Sequence, residues 1–187
     1  LISQDPNFEL QLAIGGMAVL TKYGRIYTQL EDLDCTIRTI NFVIEGETLS
    51  TMAKSSGLAL LEFSTAFEVL KPDIVFVIAD RFECLPIAIA ASYMNIPVAH
   101  IEGGEITGSI DESIRHAITK LSHIHFPSSN EAAVRIEKMG EEKSSIFTVG
   151  SSSMDMLIQT DLNEVKKINE YIADWGSGPK FEVKSKE

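Results

Sequence analysis

The stretch Lys71-Pro72-Asp73-Ile74-Val75-Phe76-Val77-Ile78-Ala79-Asp80 decides the fold. Ile74 to Ile78 is continuously apolar, short, and bounded by a proline before it and an acid after it. Such a run is expected of a strand covered on both faces in a parallel sheet. Parallel strands need crossover helices, and the flanking sequence supplies them. Upstream, Thr48 to Leu70 is helical in pattern, with Met52, Leu60, Phe63, Phe67 and Leu70 near one face and Pro72 closing it. Downstream, a helical run from about Phe82 to Met94 leads into the strand Pro97-Val98-Ala99-His100-Ile101. A helix from about Glu112 to Leu121, a short strand at His123–Phe126 and a helix from Asn130 to Met139 follow. Ile146 to Val149 is the last strand, ending at Gly150.

Towards the start, Phe8, Leu10, Leu12 and Ile14 alternate with Glu9, Gln11 and Ala13, a strand buried mainly on one face. A turn-rich stretch around Gly15-Gly16 and Lys22-Tyr23-Gly24 leads to a further strand near Cys35–Ile40. The β-α-β-α rhythm predicts an α/β fold, a parallel, doubly wound, Rossmann-like domain over residues 1–162. From Asn163 to Trp175 the pattern is that of a surface helix, broken by Gly176-Ser177-Gly178-Pro179 and followed by a mostly charged end. Residues 163–187 therefore read as a linker helix or the approach to something else, not as core.

The 187 residues carry 16 basic and 27 acidic side chains, a net charge of −11. That sum argues against nucleic acid as a partner, because a polyanion needs a basic stripe. It leaves room for a small anionic ligand, for which a helix N-terminus and one or two arginines suffice. No apolar run approaches the roughly 18 residues of a membrane span, and no signal-peptide pattern is visible. Cys35 and Cys84 are too few for a disulfide framework, so a reducing, cytoplasmic setting is the expectation.

The acidic excess is uneven. Between Lys71 and Glu112 seven acids stand against Lys71 and Arg81. Asp80 and Glu102 each follow a strand, where open α/β sheets place their ligands. On position alone Asp80 is equally well placed to cap the next helix. Glu102 lies in His100-Ile101-Glu102-Gly103-Gly104-Glu105, whose glycines suit either a close backbone approach to a ligand or a plain turn. Asp111 and Glu112 open the helix bearing Arg115 and His116. Ser109-x-x-Glu112 matches a capping box, which favours a structural Glu112. Asp111 is placed to close a triangle with Asp80 and Glu102, and Arg115, one turn on, to answer a phosphate or one of the acids. Ser151 after the last strand suits a phosphate or hydroxyl, or the cap of the next helix. His100, His116, His123 and His125 lack metal-ligand spacing, so no metal is expected and packing or hydrogen bonding is the better account. There is no Gly-x-Ser-x-Gly, no Walker A loop and no Gly-x-Gly-x-x-Gly after a strand.

Ala79-Asp80-Arg81-Phe82-Glu83, His100-Ile101-Glu102-Gly103-Gly104-Glu105 and the run from Asp111 to His123 (DESIRHAITKLSH) resemble the hydrolysing UDP-N-acetylglucosamine 2-epimerases of sialic-acid precursor synthesis. The resemblance extends from Tyr23-Gly24 to Val149-Gly150, and its two longer motifs are specific in length and order. It implies the N-terminal half of a glycosyltransferase-B-like fold, with the active site in a cleft between two Rossmann-like halves. The implied substrate is a UDP-sugar and no cofactor is implied. The implied reaction eliminates UDP to leave a 1,2-unsaturated glycal, which water converts to N-acetylmannosamine. Asp80, Glu102 and Asp111 match the family's acid-base positions, while Arg81, Glu112, Arg115, His116 and Ser151 fall at substrate-contact positions. A homodimer is also implied. The family's first strand, with a Gly-Thr-Arg-type turn for the phosphates, would precede this chain, and its second domain would begin near Glu187. Two positions depart from the family pattern: Ala18 stands where relatives usually have histidine, and Ala79 where they usually have glycine. They point to altered substrate contacts or a drifted copy, and favour the alternative of a nucleotide-sugar-binding module without chemistry; an epimerase for a related UDP-diacetamido-trideoxy sugar is a further alternative.

Overall fold

The computed structural model describes residues 2, 5–24, 28, 30, 33–46, 48–78 and 80–159. Ala79 and the expected helix and linker over residues 163–187 lie outside the described residues. The chain divides into two units, Leu1–Gly150 and Ser151–Glu187. In the first, β1 (Gln11–Ile14) and β2 (Thr36–Thr39) pair in parallel. A second parallel sheet runs in the order β3 (Val75–Ile78), β4 (Val98–Ile101), β5 (Ile124–Phe126). Helices α1 (Leu49–Leu70), α2 (Cys84–Tyr93), α3 (Ile110–Leu121) and α4 (Asn130–Lys138) alternate with the strands. In the second unit, α5 covers Ser152–Gln159.

The sequence makes these elements for local reasons. Thr48 caps α1 by accepting from the Thr51 amide, and the Thr51 hydroxyl returns a bond from the Thr48 amide. The helix ends on Lys71 in the left-handed region (φ 47°), just before Pro72. The apolar stripe read from the sequence turns inward: Phe63 and Phe67 are buried, and Phe63 lies 6.0 Å from Phe42 and 5.9 Å from Phe67 between ring centroids. Val75, Val77 and Val98 from the sheet, Ala88 and Ala91 from α2, and Ile118 from α3 complete one apolar core. Each large side chain removed from water here contributes on the order of 1.5–3 kcal/mol.

Three expectations are corrected. β3 is covered on one face: Val75 and Val77 are buried against the helices, whereas Phe76 and Ile78 are 47% and 56% exposed. That second face carries its own apolar order instead, with Phe76 stacked on Phe126 at 6.3 Å and Phe126 against Phe147. Phe8 is 62% exposed, and regular pairing of the first strand starts only at Gln11, so the alternation overstates the strand. Ile146–Val149 forms a single bridge, His125 with Ile146, plus bonds from Phe147 to His125 and Val149 to Pro127, rather than a full strand.

His125 shows how tightly the sheet is packed. Its ring is 1% exposed, and Nε2 lies 3.4 Å from Glu141, itself bonded to Lys120. Burial pushes the imidazole below its ordinary value, outweighing the pull of Glu141, with Lys120 and His123 acting in the same direction as burial. The unfolded chain therefore takes up this proton first as pH falls. The stability from neutral His125 is complete above the unfolded value of about 6.5 and declines below it. We expect Tm to fall between about pH 7 and about pH 5.5, and less steeply in His125→Gln. Equal slopes in thermal melts of the two proteins would refute this.

Candidate active site

The register of the second sheet sets the geometry of the acids. Ile78 of β3 pairs with Ile101 of β4, so Glu102, one residue past its strand, and Asp80, two past its own, follow the matched ends of neighbouring strands. The N-cap position of α2 is held by Glu83, not Asp80, and no side-chain capping bond is made there, so the capping role that position alone allowed for Asp80 is not realised. The Asp80 carboxylate instead receives the Arg115 guanidinium from α3. The pair is mostly buried, with Arg115 7% and Asp80 18% exposed at the side chain. Arg115 also donates to the Glu105 carbonyl at 2.7 Å. Of the two answers open to Arg115 in the sequence, an acid or a phosphate, the structure supplies the acid.

Glu102 adopts the left-handed region (φ 61°), which costs a non-glycine residue about 1 kcal/mol or more. Its amide still donates to the Phe126 carbonyl at 2.9 Å, extending the parallel ladder by one residue. The following glycines are needed for close packing within the protein. A Cβ on Gly103 would sit 2.8 Å from His100 Nδ1, and one on Gly104 would sit 2.5 Å from the Ala132 carbonyl of α4. Arg135 of α4 donates to the Gly104 carbonyl, and the Glu105 carboxylate accepts from Ser128 and Ser129 at 2.5 and 3.2 Å. The turn after β4 is thus tied to α3, α4 and the end of β5.

Asp111 occupies the first turn of α3, where the helix dipole favours a negative charge. Its amide donates to the Ser109 hydroxyl at 3.3 Å, and its carboxylate accepts from the same hydroxyl at 3.2 Å. The hydrogen bond to Glu83 raises the Arg81 guanidinium above its ordinary value, burial opposes this, and the Asp111 charge adds a smaller push in the same direction as Glu83. Arg81 itself is bound fork-to-fork by Glu83 at 3.0 and 3.1 Å, with its side chain 54% exposed. Glu112 does not complete the expected capping box. Its carboxylate accepts from the Gly108 and Thr107 amides at 2.8 and 2.9 Å, and those bonds hold it below the ordinary carboxylate range. His116, one turn beyond Glu112, has a buried Nδ1 without a hydrogen-bond partner among the described residues. Ser151 directly precedes α5 in the second unit, its hydroxyl 2.7 Å from that of Ser153.

Other reactive groups are occupied elsewhere. Burial pushes the Cys84 thiol up to about 11, with help from the Glu83 charge, and its Sγ donates to the Ile78 carbonyl. That environment suppresses the thiolate a nucleophile would need. His100 pairs with Thr119 at 3.1 Å, and His123 Nδ1 accepts from the Val98 amide at 3.3 Å. No local pattern marks Arg135, Ser128 or Ser129, whose link to the turn is made across about two dozen residues or more.

A family model described as UDP-N-acetylglucosamine 2-epimerase matches residues 1–181. The chain belongs to the UDP-N-acetylglucosamine 2-epimerase family. It is 38% identical over 159 residues to the UDP-N,N'-diacetylbacillosamine 2-epimerase (hydrolyzing) of Legionella pneumophila, covering 84% of this chain and 42% of that protein. To the UDP-N-acetylglucosamine 2-epimerase of Neisseria meningitidis it is 34% identical over 172 residues, covering 91% and 45%. The chain thus spans less than half the length of these relatives. Among solved structures, the Neisseria meningitidis epimerase bound to UDP-GlcNAc is similar in fold, with a TM-score of 0.71 at 18% identity over 91% of this chain and 47% of that one. The epimerase of Methanocaldococcus jannaschii gives 0.66 at 21% identity over 88% and 53%. The parallel α/β unit of this family member is therefore part of an epimerase fold of the glycosyltransferase-B type.

The Arg115–Asp80 pair makes a stability prediction. Arg115→Met leaves a mostly buried carboxylate without its cation, and should destabilise the protein by about 3–5 kcal/mol in urea unfolding. The double variant Asp80→Asn, Arg115→Met should lose less than the sum of the two single losses. A loss below about 1 kcal/mol for Arg115→Met would mean that the pair behaves like a surface contact.

Proposed function

We propose that the full-length protein carrying this chain is a hydrolysing UDP-N-acetylglucosamine 2-epimerase. The observation that carries this reading is the placement of Asp80 and Glu102 just beyond the matched ends of adjacent parallel strands, with Asp111 opening the helix whose Arg115 holds Asp80. Epimerisation by elimination needs a base at the C2 proton, an acid-base group for the departing UDP at C1, and a proton donor for the opposite face of C2. Three carboxylates in distinct settings meet that need: one charge-paired, one at a strained strand end, one at a helix N-terminus. As the C2 proton and UDP leave, a 1,2-unsaturated glycal forms. Water then adds, hydroxyl to C1 and proton to C2, to give N-acetylmannosamine. Arg81, with its exposed guanidinium, and His116, with its buried unpaired nitrogen, are the substrate contacts in this reading. Glu112 holds the Thr107–Gly108 turn through its two amide bonds, and Ser151, in the second unit, is kept as a candidate contact for phosphate or hydroxyl.

A related substrate is the second reading. Two of the relatives most similar to this chain, 38% and 36% identical, are named as acting on N,N'-diacetylbacillosamine nucleotides. Ala18, in the short 3-10 turn Gly16–Val19, offers no polar group to a sugar hydroxyl. The test presents both UDP-sugars to the full-length protein in deuterated water. We expect free UDP and one deuterium at C2 of the product, with turnover reduced about 10²- to 10⁴-fold by each of Asp80→Asn, Glu102→Gln and Asp111→Asn. Absence of UDP release from either sugar, or full activity in Asp80→Asn, overturns the proposal.

We further propose a cytoplasmic homodimer formed through α1. Leu58, Leu61 and Val69 are 38%, 66% and 61% exposed on its outer side, and a Cβ on Gly57 beside them would meet nothing. A mid-helix glycine costs roughly 1 kcal/mol, and no packing among the described residues requires it here. Among the described residues no helix is long and apolar enough to cross a membrane. Light scattering should give twice the chain mass for the full-length protein and a monomer for Leu61→Glu; a monomeric wild type contradicts the dimer.

A further inference from the structure

We propose that Glu105 is a positioning residue for Asp80, acting through Arg115. This rests on the reading of Asp80 as part of the chemistry. The half-buried Glu105 is bound at both of its ends. Its carboxylate oxygen Oε1 accepts from the Ser128 hydroxyl at 2.5 Å and the Ser129 hydroxyl at 3.2 Å. Its backbone carbonyl accepts from one terminal nitrogen of Arg115 at 2.7 Å, while the other terminal nitrogen of that guanidinium holds Asp80. Because the guanidinium is planar and rigid, fixing one of its nitrogens fixes the direction of the other. The side chain of Glu105 therefore sets its own carbonyl, the carbonyl sets Arg115, and Arg115 sets Asp80.

A plainer account would make Glu105 an anion placed to favour the start of α4. Ser129 already performs the capping there, accepting from the Ala132 amide at 3.2 Å. The backbone of the turn is also pressed hard against α4, since Gly104 leaves no room for a Cβ beside the Ala132 carbonyl. Arg135 adds its own bond to Gly104. The serine–carboxylate bonds act one residue further on, where the chain would otherwise be free to rotate the carbonyl that Arg115 uses. What they fix is the aim of that carbonyl.

The test is steady-state kinetics of the full-length protein with the UDP-sugar it turns over. Glu105→Ala should lower kcat about 10- to 100-fold with KM within about threefold of wild type, the signature of misplaced chemistry rather than lost substrate binding. Glu105→Gln keeps an amide oxygen for the two hydroxyls and should recover most of kcat. Ser128→Ala should show a smaller loss in the same direction, and it decides the matter where Glu105→Ala does not fold. Wild-type kcat in Glu105→Ala or in Ser128→Ala overturns the proposal, as does a loss confined to KM or a Glu105→Gln as impaired as Glu105→Ala. Asp80→Asn is measured alongside. Full activity there overturns the reading of Asp80, whereas an inactive Asp80→Asn beside an unimpaired Glu105→Ala overturns the role of Glu105 alone.

Discussion

The mostly buried ion pair between Arg115 and Asp80 is the constraint on which the site depends. Taking two charges out of water costs several kcal/mol each, and only good geometry with further hydrogen bonds offsets it. The extra bond from Arg115 to the Glu105 carbonyl supplies part of that offset. The pair also joins elements far apart in sequence: the end of β3, the turn after β4 and the second turn of α3. An acid at a strand end is common; one locked to a buried arginine has a fixed place.

Around this pair the negative charge of the segment is distributed by backbone geometry. Parallel register puts Asp80 and Glu102 just beyond the matched ends of adjacent strands, and the left-handed Glu102 turns the chain back at once towards α4. Gly103 and Gly104 let that turn touch His100, Thr119 and Ala132 without side chains in between. Glu83 and Glu112, which might have crowded the site, are engaged by Arg81 and by the Thr107–Gly108 amides. Much of the charge that made the sequence look merely acidic is engaged by partners within the chain: Asp80 by Arg115, Glu83 by Arg81, Glu105 by Ser128 and Ser129, and Glu112 by two backbone amides.

Much of this was legible in the sequence because it depends on local periodicity. The stripe from Met52 to Leu70 located α1 to within a residue, and the apolar runs located β3, β4 and β5. What failed was burial on the second side. A run of five apolar residues cannot say which neighbours cover it, and Phe76 and Ile78 are half exposed. Phe8 failed similarly, because alternation reports a possible strand and not a paired one. Within the site, strand-end position singled out Asp80 and Glu102. The partner of Arg115 and the clamp of Ser128 and Ser129 on Glu105 arise from tertiary contacts 23 to 35 residues apart, for which one sequence carries no signal.

Family membership and the strand-end carboxylates are what support the proposed reaction at a sugar C2, and the chain spans less than half of the Legionella and Neisseria relatives compared with it in sequence. The central claim is that Asp80, Glu102 and Asp111 surround the reacting carbons. A crystal structure of the full-length protein with a bound UDP-sugar tests it most directly. The account predicts the three carboxylates grouped about C1 and C2, at least one of them within hydrogen-bond or proton-transfer reach of about 2.6–3.2 Å. A sugar ring bound away from all three, with Asp80 still locked to Arg115, would contradict it.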